Sequence, residues 1–138
     1  MNRIVKTFEK AFQRRLERGH EKVFVLVDLH ETCLLPNYEG LATEYYPLAK
    51  EVLQAMSKFE GICLIMWTCS TEEDRAKYDE MFRKDDVIFE HINENPEVAG
   101  KVKWGDFDTK MYANVGLDDK FGFSPEEDWV ALAEYFGV

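Results

Sequence analysis

Residues 23–32 read VFVLVDLHET, and they constrain the fold more than any other stretch of the chain. Five apolar residues, Val23, Phe24, Val25, Leu26 and Val27, stand together without alternation. A run of that kind suits a strand buried on both faces in the middle of a parallel sheet. Asp28 follows at once, at the carboxyl end of the strand, where open α/β sheets place their ligands. His30 and Thr32 come after it at even spacing.

The remaining pattern supplies partners for that strand. Ile4, Val5, Phe8, Phe12 and Leu16 recur at helical spacing over residues 1–18, with basic residues on the other faces and Gly19 as a stop. This helix is expected to pack on the domain; contact with an anionic membrane or a partner is the sharper alternative. A loop with Pro36, Asn37 and Gly40 leads to a helix over residues 46–59, with Leu48, Val52, Leu53 and Met56 inward. Residues 62–67 form a second continuous apolar strand, followed by Thr68, Cys69 and Ser70. A helix from about Thr71 to Phe82 comes next, then a weaker strand over 87–91 and a polar connection through Gly100, Gly105 and Asp106. Residues 111–117 read as a fourth strand ending in Asp118 and Asp119. Ser124, Pro125, Glu126 and Glu127 open a last helix by cap, proline and acidic first turn, with Trp129, Leu132, Ala133 and Phe136 inward. Alternating strands and helices predict a single α/β domain spanning 1–138, built on a central parallel sheet.

Charge narrows the partners. The chain of 138 residues carries a net charge of −10, yet its first 18 residues hold six basic groups against two acidic ones. The acidic body repels polyphosphate backbones, so duplex nucleic acid is not expected as a partner. Cys33, Cys63 and Cys69 show no metal-ligand spacing in sequence, and their odd number fits a reducing compartment. With no leading signal-type run and no apolar stretch long enough to span a bilayer, a cytoplasmic protein without membrane attachment is expected.

The strand ends collect one kind of chemistry. Asp28, Thr68 and the pair Asp118 and Asp119 follow strands, and Lys110 stands at the entry to the last of these. A carboxylate can attack phosphorus and form an acyl phosphate. A hydroxyl and a lysine can hold the non-reacting phosphate oxygens. Further carboxylates recruit Mg²⁺, which takes oxygen ligands, and three acids set together imply a cation between them. Against these readings, Thr68 could cap the following helix, Lys110 could be a solvated surface group, and the acidic pair could be a turn. Asp106 and Asp108 read as loop carboxylates, Cys69 as a buried small side chain, and His20 and His91 as structural.

Asp28-x-His30-x-Thr32, Thr68 after an apolar strand, Lys110, and Gly116-Leu117-Asp118-Asp119 occur in the order of the four motifs of the haloacid dehalogenase superfamily. The segments LIMWTCS, HINENP and KMYANVGLDD resemble small bacterial and phage members of that superfamily, and the resemblance covers residues 23–122. It implies a three-layer α/β/α Rossmann-like fold and Mg²⁺-dependent hydrolysis of a phosphomonoester, a small phosphorylated metabolite, through an aspartyl phosphate. By position, Asp28 is then the nucleophile and Thr68 and Lys110 bind phosphate. Asp118 and Asp119 serve the metal with Asp28 and the main-chain carbonyl of His30. Response-regulator receivers use similar residues, but there the acidic pair precedes the phosphorylated aspartate.

Two departures shape the expectation. The family pattern D-x-D-x-T places its acid–base aspartate where this chain has His30. Histidine can do acid–base work near neutral pH, and loss of such a group costs about 10²–10⁴ in rate. The alternative is therefore a protein that binds metal and phosphate without turnover. Neither interval in which the family inserts a cap is long enough for one, so the fold is expected to be capless. An open site suits a large substrate, or a small one if a second copy of the chain closes it as a homo-oligomer. Tyr38, Tyr45 and Tyr46 either line its entrance or pack on the core.

Overall fold

A computed structural model describes residues 1–18 and 21–138; Gly19 and His20 lie outside the described residues. In chain order the elements are α1 (Arg3–Arg18), β1 (Val23–Asp28), α2 (Ala49–Lys58), β2 (Ile62–Trp67), α3 (Glu72–Lys84), β3 (His91–Ile92), β4 (Lys101–Val102), β5 (Gly105–Asp106), β6 (Val115–Leu117), a 3₁₀ turn (Asp119–Phe121) and α4 (Pro125–Phe136). Four strands form a parallel sheet in the order β3-β2-β1-β6. From β1 the chain moves outward through β2 to β3, then crosses back to lay β6 on the other side of β1. That reversal creates a switch point between the carboxyl ends of β1 and β6, where open α/β sheets bind ligands.

The apolar run of β1 fills both sides of the sheet. Val23, Val25 and Val27 join Ile62, Leu64, Met66, Val115 and Leu117 in the main core, together with inward residues of all four helices. Phe24, Cys63 and Ile65 point the other way and pack with Leu26, Val98 and Tyr112. The result is the expected Rossmann-like α/β architecture in three layers around a central parallel sheet. One outer layer is helical, and the connection from β3 to β6 covers the second face. No inserted cap domain interrupts the chain among the described residues.

Local chemistry moves several element boundaries. The helix expected from residue 46 begins at Ala49, because Leu48 takes the left-handed conformation (φ 70°) and a helix cannot run through it. The strand expected over 87–91 narrows to His91–Ile92, while Val87 and Phe89 are used as core side chains. The strand expected from 111 starts at Val115. Within the polar connection, β4 and β5 pair as a short antiparallel hairpin that periodicity did not reveal. Ser124 begins α4 as expected, although its hydroxyl makes no cap bond. Instead its N–H donates to Asp128 Oδ2 at 2.7 Å.

Helix α1 packs against α4, β1 and β6. Phe8 is fully buried and meets Phe136 edge-to-face at 5.5 Å. Asn2 accepts from the N–H groups of Ile4 and Val5 and donates to Asp128 Oδ1 at 2.8 Å, joining the start of α1 to that of α4. The apolar stripe faces inward only as far as Phe12; Leu16, expected on it, is 79% exposed. No helix among the described residues is long and apolar enough to cross a membrane.

Candidate functional site

The carboxyl ends of β1, β2 and β6 open into one cleft of about 620 Å³. Asp28, His30, Thr68, Asp118 and Asp119 all line it, joined by Glu31, Trp67, Cys69, Asn93 and Lys120. Strand register explains the convergence. Val27 pairs with Leu117, and Asp28 pairs with Trp67, so Asp28 at the end of β1, Asp118 after β6 and Thr68 after β2 emerge within one residue of the same level. Carboxylate oxygens of Asp28, Asp118 and Asp119 lie within 4.8 Å of one another.

Thr32 binds this cluster together. Its buried hydroxyl lies 2.9 Å from Asp28 Oδ2 and 3.1 Å from Asp119 Oδ1, and it accepts from the Asp119 N–H at 3.0 Å. With a single proton, it donates to one carboxylate at a time. The Thr32 carbonyl accepts from the indole N–H of Trp129 at 2.7 Å, so α4 fixes the turn from behind. Asp118 Oδ1 accepts from the Lys120 N–H at 2.9 Å and so starts the 3₁₀ turn. Burial pushes the Asp28 carboxyl up to about 7 from its ordinary 3.8, against the hydrogen bond from Thr32, and Asp118 and Asp119 add to the rise. Three acids so placed form an oxygen donor set that fits a hard divalent cation such as Mg²⁺.

His30 is held by a partner far away in sequence. Its Nε2 lies 3.0 Å from the hydroxyl of Tyr78 on α3, and the rings meet edge-to-face at 5.6 Å. The Tyr78 oxygen also accepts from the Ala42 N–H at 3.1 Å. Nδ1 is then the ring nitrogen not engaged by Tyr78.

The wall from β2 rests on Asn93. Its side chain accepts from the Thr68 N–H at 2.8 Å and donates to the Thr68 carbonyl at 2.7 Å, clamping both sides of one residue. Asn93 itself has φ 56°, a conformation asparagine tolerates better than most residues. The Thr68 hydroxyl pairs with Ser70, at 2.9 Å to its Oγ and 3.2 Å to its N–H. It does not cap α3; Thr71 does, accepting from the Asp74 N–H.

Lys110 is not brought into the cleft. It is exposed and precedes the amino end of β6, whereas the cleft opens at the carboxyl end. The cation lining the cleft is Lys120, one residue past the acidic pair. Asp106 and Asp108 also stay outside it. Cys69, read as buried, is exposed and borders the cleft, because it follows a strand whose exposed last residue, Trp67, already reaches the rim. Tyr45 and Tyr46 pack on the core, and the Tyr45 hydroxyl donates to Asp85 at 2.8 Å. Tyr38 is 91% exposed and does not line the cleft.

Fold and cleft together describe an open α/β protein with a carboxylate cluster at its switch point. No family model matches the chain, and no curated protein matches it. The chain is similar to the solved structure of a conserved protein from Bacteroides thetaiotaomicron, with a TM-score of 0.64 and 24% identity over 84% of this chain and 90% of that one. Likeness at this identity concerns the fold.

Proposed function

We propose that the chain is a capless, Mg²⁺-dependent phosphatase-like hydrolase of the haloacid dehalogenase superfamily, acting on a small phosphomonoester. The observation that carries this reading is the convergence of Asp28, Asp118 and Asp119 within 4.8 Å at the sheet's switch point. Those three residues, with the carbonyl of His30, are the metal ligands of the reading. Bound there, Mg²⁺ supplies the positive charge that lets three acids and a phosphate share one cleft.

The chain's own residues divide the work. Asp28 attacks phosphorus, the bond from phosphorus to the ester oxygen breaks, and the alcohol departs with a proton. Water then attacks the aspartyl phosphate, releasing inorganic phosphate and restoring Asp28. His30, with its Nε2–H directed at the Tyr78 oxygen, is the acid and then the base: its Nδ1 proton goes to the departing alcohol, and Nδ1 then takes a proton from the attacking water. The Thr68 hydroxyl and the Lys120 ammonium border the space for the phosphate oxygens, a role in which Lys120 replaces Lys110. A cleft of about 620 Å³ is of a size for a small metabolite. Three free cysteines agree with cytoplasmic residence.

The second reading, binding without turnover, is favoured by one observation. His30 stands where the family has aspartate, and Tyr78 already engages its Nε2. A generic phosphate ester assayed with Mg²⁺ on the wild type, Asp28→Asn and His30→Asp separates the two. Wild-type turnover abolished by Asp28→Asn is the expected result. Turnover by His30→Asp alone would establish the binding protein, and silence from all three would remove the hydrolase.

A further inference from the structure

A second group of ligating side chains lies outside the acidic cleft. Cys63 of β2, His91 of β3 and Glu97 of the following loop bring Sγ, a ring nitrogen and a carboxylate oxygen within 4.8 Å of one another. We propose that these three residues form a zinc site that ties the loop after β3 to the edge of the sheet.

The donor set argues for the metal. Thiolate, imidazole and carboxylate are the ligands Zn²⁺ takes, whereas Mg²⁺ prefers oxygen alone. Glu97 Oε2 is the shared corner, 2.6 Å from His91 Nε2 and 3.5 Å from Cys63 Sγ. Tetrahedral zinc with bonds of about 2.0 Å to N and O and about 2.3 Å to S needs ligand separations of about 3.3–3.5 Å. The sulfur–oxygen edge already has that length, and the nitrogen–oxygen edge must open by under about 1 Å. In the metal-free protein protons occupy these edges. Zinc binding would release the Cys63 thiol proton to solvent and would take His91 through Nε2 with its ring proton on Nδ1.

The carboxylate is aimed by groups that need not move. Lys22 holds the other oxygen, Oε1, at 2.7 Å, which leaves Oε2 toward the cysteine and the histidine. The Glu97 N–H donates to Asn95 Oδ1, and the buried Asn95 donates in turn to the Tyr112 carbonyl. Burial pushes the Cys63 thiol up, and Glu90 and Glu97 reinforce this, so an arriving cation meets a thiol it must deprotonate. The fourth position falls to water. His91 and Glu97 are partly exposed and give the ion a way in. A site here would stiffen the segment that carries Asn93, and through it the Thr68 wall of the cleft.

Cobalt is the direct probe, because only a thiolate ligand gives a sulfur-to-cobalt charge-transfer band in the near ultraviolet. The full chain would be titrated with Co²⁺ under excess Mg²⁺, which occupies hard oxygen sites. We expect the band to saturate at one Co²⁺ per chain, to vanish on adding one equivalent of Zn²⁺, and to persist in Cys69→Ser. Cys63→Ser and Glu97→Gln should lose the band or weaken cobalt binding at least tenfold, each tested once circular dichroism shows it folded. Zn²⁺ should raise the melting midpoint of the wild type and not that of either variant. Absence of the band from the wild type, or its persistence in Cys63→Ser, would overturn the proposal.

Discussion

Thr32 holds one hydroxyl proton between two carboxylates, 2.9 Å from Asp28 and 3.1 Å from Asp119. Thr32→Val leaves two half-buried carboxylates without that donor and the Asp119 N–H without its acceptor, and should lower unfolding free energy by about 1–3 kcal/mol; urea denaturation of the metal-free protein measures it, and Thr32→Ser should recover most of the loss. Asp28 carries the pH dependence. Its folded proton affinity is raised from 3.8 to about 7, so the folded state binds a proton more tightly than the unfolded chain between those values. Metal-free stability should therefore decline as pH rises from about 4 to 7 and stay low above. Asp28→Asn should be more stable than wild type at pH 8 by about 1–3 kcal/mol, the half-exposed site being discounted for solvent screening. That difference should shrink toward pH 4, and unfolding curves at both pH values without divalent ions decide it. The acids of this site were legible because Asp28 closes one apolar run and the pair Asp118 and Asp119 follows another. The partnership of His30 with Tyr78 was not, since 48 residues separate them and only the packing of α3 brings them together.

At the scale of elements, the cleft depends on short segments held by side chains. Strand β3 has two residues, and Asn93, directly after it, clamps both sides of Thr68. Asn93→Ala removes two hydrogen bonds and places alanine at φ 56°, so it should cost about 2–4 kcal/mol in all. Asn93→Gly should cost less, because only the hydrogen bonds are lost; chemical denaturation of the two variants makes the comparison. The long apolar strands and the amphipathic helices were readable from periodicity, because burial alone dictates them. The ends were not. Leu48 delays the start of α2 through its backbone angle, and the β4–β5 hairpin forms in a polar stretch that periodicity cannot register. Lys110 lies outside the cleft lining for a related reason. Its place in the motif order was legible, but whether the chain before β6 turns toward the cleft depends on how much of it is strand.

Across the whole molecule, one reversal of strand order sets Asp28 beside Asp118 and Asp119, and α1 and α4 brace the sheet behind them. Phe8 is fully buried against that brace. Phe8→Ala should cost about 3–5 kcal/mol and lower the melting midpoint, so removing the basic helix outright would test folding before it tested partner binding. The central claim is that Asp28 accepts a phosphoryl group. Its most direct measurement is incubation with acetyl phosphate and Mg²⁺, acid quenching, and mass mapping of the peptide that contains Asp28. The account predicts one added phosphoryl group on Asp28 that requires Mg²⁺, is absent from Asp28→Asn, and accumulates to a higher level before the quench where His30 is replaced by alanine. An unmodified Asp28 peptide in the wild type and in the His30→Ala variant would contradict it.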